Sequence, residues 1–290
     1  MTFRQVYYTS CTRGLRETRG FQIHAATPDI DPKLREAVER LSLYTPPPSF
    51  PTRPTAEELK DFPVVLLHED LGGGTHVLAQ SRYVGTDYSG RYGNYFTHSL
   101  LGGTKDFEQA QALPVEMWGS PAWVSTEQAD TRLQPMMALH PGTAVTRERV
   151  AQFLQAPHRD RWLPAFLGCV EQALETRRRI LIVDQEGGQP GGYAAALWIA
   201  AASYALPRRL ALQLTFDTYV RNPYQSSALL CGLLGGRDTD FAFASHEVHQ
   251  QFYVFDFLAD VFTSTMPAPS RGMRPVADLL RAGSDAPLAA

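Results

Sequence analysis

RILIVDQEGGQPGGYAAALWIAAASYALP, residues 179–207, decides what kind of fold this chain adopts. Ile180 to Val183 form an apolar run without alternation, the mark of a strand covered on both faces. A Gly-rich connection follows, and from Tyr193 an Ala-rich apolar stretch of helical length begins. The next apolar run, LALQLTFDTYV (210–220), reads as a strand. Strand, helix and strand joined by short links predict a βαβ crossover and a parallel sheet. SALLCGLL (227–234) and FYVFDFL (252–258) are expected to extend that sheet. RERVAQFLQAP (147–157) and WLPAFLGCVEQALETRR (162–178) read as helices preceding it.

The first half has a different pattern. VYYTS (6–10) and GFQIHAATP (20–28) read as paired strands across a turn containing Gly14 and Gly20. DPKLREAVERL (31–41) predicts a helix, with Asp31 as N-cap, Pro32 at its first position, and Leu34, Val38 and Leu41 on one face. TPPPSFPTRP (45–54) holds five prolines in ten residues and predicts an extended connector. FPVVLLHED (62–70) and THVLAQSRYVG (75–85) predict a hairpin through LGGG, and GNYFTHSLL (93–101) a further strand. Residues 103–145 carry four scattered prolines and no period. The expected fold is therefore an α+β N-terminal domain of mostly antiparallel strands with one or two helices (1–145). An α/β middle domain with a βαβ unit (146–263) and a low-complexity tail (264–290) follow.

Composition narrows the function classes. Across 290 residues, 44% are hydrophobic and 20% charged, which suits a chain able to bury a core. The net charge of −3 gives no basic excess for nucleic acid. No apolar run reaches the roughly 20 residues of a membrane span, and no secretory leader precedes the first strand, so a cytoplasmic protein is expected. Three well-separated cysteines, Cys11, Cys169 and Cys231, predict reduced thiols and no disulfide framework.

Each chemical motif falls short of a complete signature. Cys11 sits beside Arg13, and His24 or His98 would be the base of a cysteine-dependent hydrolase, but no protease signature surrounds it. HEVHQ (246–250) spaces its histidines three apart where the zincin pattern needs four. His68, Glu69 and Asp70 form a second run of metal-ligand types at a strand end. DQEGGQPGG (184–192) lies where phosphate-binding loops lie, yet Gln189 occupies the place of the second fingerprint glycine and no Gly-Lys-Ser/Thr follows. It is read as a flexible connection, with a nucleotide-sensing module as the alternative. No cofactor or metal is expected.

VYYTSCTRGLRETRGFQIHAATPDI (6–30) and RYVGTDYSGRYGNYFTHSLL (82–101) resemble the bacterial GTPase-associated protein family, N-terminal domain type 2. AFLGCVEQALETRRRILIVD, AAALWIAAASYALP and LQLTFDTYVRNP are similar to the middle domain that follows it in the same proteins. The resemblance implies a component of GTPase-centred conflict or signalling systems, encoded beside dual GTPases, with no established catalytic residues to carry over. It also implies a further C-terminal region, so a shortened member or a fragment is expected. The expected function is a non-enzymatic adaptor or regulator acting through contacts with a GTPase and other proteins of the same system. The anticipated contact residues are Tyr83, Tyr88, Arg91, Tyr92, Asn94, Tyr95 and His98 in one region, and Tyr219, Arg221 and Tyr224 in another. Tyr and Arg bury large area while keeping a hydrogen-bonding tip.

Overall fold

The computed structural model describes residues 2–239 and 241–281. In the first half, β1 (Arg4–Cys11) and β2 (Gly20–Ala26) pair antiparallel. Helix α1 (Pro32–Leu41) starts as its sequence predicts, Asp31 Oδ1 accepting from the N–H groups of Lys33 (2.9 Å) and Leu34 (3.1 Å). Strands β3 (Val65–Asp70), β4 (Thr75–Thr86) and β5 (Tyr92–Gly103) form the antiparallel meander, and the short helix α2 (Thr104–Gln109) follows.

The second half runs through α3 (Arg147–Leu154), α4 (Pro157–Asp160), α5 (Leu163–Thr176), β6 (Arg179–Val183) and α6 (Tyr193–Ala205). It continues with α7 (Arg208–Ala211), β7 (Phe216–Asp217), β8 (Leu230–Leu233) and α8 (His246–Gln251). It closes with β9 (Phe252–Asp256), β10 (Val261–Phe262) and α9 (Met273–Arg281). Strands β6, β7, β8 and β9 are mutually parallel where they pair, as the βαβ reading requires.

The two halves share one sheet. Its ten strands run in the order β10-β9-β6-β8-β7-β3-β4-β5-β1-β2. The seam is the antiparallel contact of β7 with β3, where Leu67 faces Asp217 and His68 faces Phe216. Helices α2, α3, α5, α6 and α9 pack on one face, and every residue of α6 is buried there, as an all-round apolar helix requires. The opposite face carries α1 over the first half and α8 over the parallel strands. Between them runs a chain of aromatic rings, Phe21, Tyr95, Tyr44 and Tyr219, with successive centroids 4.6, 5.9 and 6.2 Å apart.

Two stretches differ from their sequence reading. The strand expected over 210–220 is confined to Phe216–Asp217, because Arg208–Ala211 closes a helical turn on Pro207. The stretch read as a low-complexity tail contains α9, whose Met273, Ala277 and Leu280 are buried against the helical layer; residues 282–290 lie outside the described residues. Ahead of α9 the chain lies flush on α5, where a Cβ on Gly168 would stand 2.4 Å from the Pro267 carbonyl oxygen. Glu171 of α5 holds the same segment by accepting from Ser270 N–H (2.8 Å) and Oγ (2.7 Å).

Candidate functional site

The thiol at the end of β1 lacks the environment of a nucleophile. Cys11 is fully buried, and burial, followed by the charge of Glu127, pushes its thiol up to about 11. His24 gives both ring nitrogens to backbone, Nδ1 standing 2.8 Å from the Arg13 carbonyl and Nε2 accepting from Gln128 N–H at 3.1 Å. His98 lies 2.9 Å from Gln5 Oε1 through Nε2 and accepts from Val124 N–H at 3.2 Å. Burial holds its imidazole down to about 3, far from the range of a base at neutral pH. These histidines pin the 124–128 segment to the sheet. Burial also pushes Cys169 and Cys231 up to about 12. At pH 8 a thiol at about 11 is ionised in roughly one molecule per thousand. A disulfide reagent should therefore modify no thiol of the folded protein within an hour, and all three after denaturation. Rapid modification of Cys11 in the native protein would restore the nucleophile reading.

The metal-type runs do not converge. His68 and Glu69 are successive residues of β3 and project to opposite faces, His68 beneath Phe107 and Glu69 toward Ser227. His249 Nδ1 lies 2.9 Å from Thr263 Oγ1. Among the described residues no group of three or more His, Cys, Asp or Glu side chains is placed to hold a metal ion.

The 184–192 connection is tied at both ends. Asp184, at the carboxyl end of β6, receives Arg159 through Nε (2.9 Å) and Nη2 (3.2 Å), the Gln185 N–H (2.8 Å) and Trp198 Nε1 (3.0 Å). Arg159 also bonds Glu186 at 2.8 Å and lies over the Phe153 ring. At the far end, Gly191 O accepts from Val64 N–H, and Gly192, at φ +92°, starts α6 so close to β3 that a Cβ would meet the Val64 carbonyl oxygen at 2.6 Å. The loop thus borders a cavity of about 260 Å³ lined by Asp61, Asp184 and Asp238, where a nucleotide phosphate would meet carboxylates.

The ten anticipated contact residues separate by burial. Tyr83, Asn94, Tyr95, His98 and Tyr219 are buried. Tyr83 stacks on Phe62 with centroids 4.3 Å apart, Asn94 Oδ1 accepts from Ser10 N–H at 3.1 Å, and the Tyr219 hydroxyl donates to Thr45 O at 3.1 Å. Their polar tips are spent on the chain itself. Tyr88, Arg91 and Tyr92 are exposed at the β4–β5 hairpin tip. Asp87 shapes that tip by accepting from Ser89 and Arg91, bonds that hold its carboxyl well below the usual carboxylate range. Tyr224 is exposed and Arg221 half-buried, and both border a groove.

That groove lies over the seam. The crossover from β7 to β8 returns across the sheet through residues 220–229, while α1 and the residues after it approach from the first half. Between them is a cavity of about 430 Å³. Val65, Leu67, Asp217 and Tyr219 line it from the sheet, Arg40, Leu43, Tyr44 and Thr45 from one side, and Arg221, Ser226 and Ser227 from the other. It continues past Thr45 and Arg221 into an adjoining hollow bordered by Tyr224 and Phe241. Leu43 is 68% and Tyr224 51% exposed, so the rim presents apolar area to solvent. Burial, and then the neighbouring Glu69, push the Asp217 carboxyl well above its ordinary range. Sequence reasoning missed Leu43 and Asp217, and read Glu69 only as a metal-ligand type. The legible signal was an acid inside each apolar run, LLHED and LTFDTYV.

The fold and the groove together define a mixed α+β protein with an apolar-rimmed opening at the seam of its ten-stranded sheet. Residues 2–139 match the model for GTPase-associated protein 1, N-terminal domain type 2, and residues 150–259 match GTPase-associated protein 1, middle domain. The chain belongs to this family. It is 28% identical over 239 residues to SaeB of Mycolicibacterium smegmatis, named as an ESX-1 scaffolding and assembly protein; the match covers 78% of this chain and 28% of that protein. SaeB from a second strain is 28% identical over 227 residues, covering 76% and 27% respectively. The chain thus spans little more than a quarter of the length of these curated relatives. No solved structure matches it. Among the described residues no helix is long and apolar enough to cross a membrane.

Proposed function

We propose that this chain is a non-enzymatic adaptor or regulatory component of a bacterial GTPase-centred conflict or signalling system, working in the cytoplasm through protein–protein contacts. Its two units, residues 1–145 and 146–263, act as one surface because they share a sheet and both contribute to the seam groove. The family description supplies the association with a GTPase, and the relatives named for scaffolding and assembly supply the adaptor character. One observation carries the reading: Leu43 and Tyr224, from different halves of the chain, stand exposed on the rims of two adjoining hollows that share Thr45 and Arg221. Exposed aromatic and aliphatic side chains beside a hollow are the features of an interface anchor. The hairpin tip, with Tyr88, Arg91 and Tyr92, serves as a second contact.

The test places a photoreactive phenylalanine at Tyr224, at Tyr92, or at Met137, which is 66% exposed and lies outside both patches. Each protein is irradiated with the purified GTPase encoded beside it, loaded with a GTP analogue or with GDP. Crosslinks are expected from Tyr224 and Tyr92, and to depend on the nucleotide. Leu43→Asp combined with Tyr224→Ala should weaken the complex about tenfold or more with an unchanged melting temperature. Equal crosslinking from Met137, or an unaffected double variant, would remove the groove from the interface.

A further inference from the structure

The floor of the seam groove holds a buried acid, Asp217, with no salt-bridge partner among the described residues. Asp217 lies at the centre of the ten-stranded sheet, flanked across the ladder by Leu67 and Cys231, and is 7% exposed. Its Oδ2 accepts from Ser226 Oγ at 3.2 Å, and its Oδ1 has no hydrogen-bond partner among the described residues. Glu69, beside it on β3, accepts from Ser227 Oγ at 2.9 Å and from the Asp70 N–H, with the charge of Arg177 nearby. No ion pair reaches either carboxyl among the described residues. Arg179 spends its guanidinium on the carbonyl oxygens of Pro223, at 2.7 Å, and Ser226. Of the other deeply buried carboxylates, Asp184 is answered from within the chain by Arg159, and Asp256 by the N–H groups of Leu258 and Ala259. A carboxyl that borders an open cavity and lacks an internal counter-ion is the complement of a cation brought from outside.

The lining above that floor sets the rest of the occupant. Val65, Leu67, Leu41 and Tyr219 give apolar contact suited to a methylene stem. The sign of charge then reverses at the rim, where Arg40 lines the same cavity. An occupant that is cationic at its inner end and anionic around its outer end satisfies both.

We propose that the seam groove receives a lysine side chain from a partner segment in which acidic residues flank that lysine. The ammonium group sits on Asp217 with Glu69 behind it, the methylenes lie along Val65, Leu67 and Tyr219, and the flanking carboxylates meet Arg40. This deepens the adaptor reading, on which it rests, by naming the side chain the groove selects.

The probe is a capped, fluorescent Gly-Glu-Lys-Glu-Gly peptide titrated with the full chain and followed by anisotropy. Its controls carry norleucine for lysine, glutamine for both glutamates, or the reversed order Lys-Glu-Lys. Saturable binding of the first peptide is expected, with the norleucine control about tenfold weaker and the glutamine control a few-fold weaker. Asp217→Asn should remove the preference for lysine over norleucine while leaving the norleucine peptide's affinity unchanged. Failure of the first peptide to saturate by about 5 mM, equal binding of norleucine, or tighter binding of the reversed peptide each overturns the proposal. The peptide arms use the unaltered protein, so they decide the matter even if Asp217→Asn misfolds. Crosslinking from Tyr224 together with a failed peptide titration would leave the adaptor in place and remove only the lysine.

Discussion

Replacing Asp184 with alanine is expected to cost about 3–5 kcal/mol of unfolding free energy and to lower the melting temperature on the order of 10 °C. The carboxylate is almost wholly buried and takes four hydrogen bonds, two of them from Arg159. Its removal strands a buried guanidinium and an indole N–H, while Glu186, 2.8 Å from Arg159, offsets part of the loss. Joint replacement of Arg159 by methionine and Asp184 by leucine should cost less than Asp184→Ala alone, because no charge is then left without a partner. Thermal melts followed by circular dichroism measure both. A loss below about 1 kcal/mol for the single variant would show that the pair does not organise the carboxyl end of β6.

Tyr44→Ala should be similarly damaging, at about 3–5 kcal/mol. The ring is buried between Tyr95 from the first half and Tyr219 from the second, and its hydroxyl donates to Pro63 O at 2.9 Å. Tyr44→Phe keeps the ring and loses one hydrogen bond, so about 1 kcal/mol is expected. Denaturant unfolding followed by tryptophan fluorescence and by circular dichroism should give coincident transitions for both variants, because one ring belongs to both halves. Separate transitions would mean that the halves fold independently across the seam.

How much of this was legible depended on local pattern. The unalternating RILIVD and the all-apolar stretch after Tyr193 announce a buried strand and a buried helix, and both stand where expected. Asp31 and Pro32 announce the start of α1. The join of β3 to β7 was not legible, because Val65–Asp70 and Phe216–Asp217 are far apart in sequence and edge pairing leaves no periodic trace. Residues 103–145 were opaque for a related reason. Leu113, Val115, Met117 and Trp118 fill the core from a single 3-10 turn, Pro114–Met117, and its two flanking residues, too short a stretch to show a period. Helix α9 was hidden by the prolines before it, although Met273, Ala277 and Leu280 recur at helical spacing.

The candidate contacts show the same limit at the level of side chains. A tyrosine whose hydroxyl finds a backbone carbonyl inside the core and one that waits on the surface are identical in a sequence, which is how Tyr219 and Tyr224 came to stand together. Asp217 was visible as an acid inside an apolar strand. Its meaning depended on Glu69, nearly 150 residues earlier in the chain.

The docking of residues 267–270 on α5 has a practical corollary. It steers the polypeptide along the helical layer until Arg281, held by Asp160 at 2.5 Å, leaves α9 on the side of the sheet away from the groove. A sensor chip that captures the protein by a label fused behind that arginine would therefore orient the opening toward the flowing analyte.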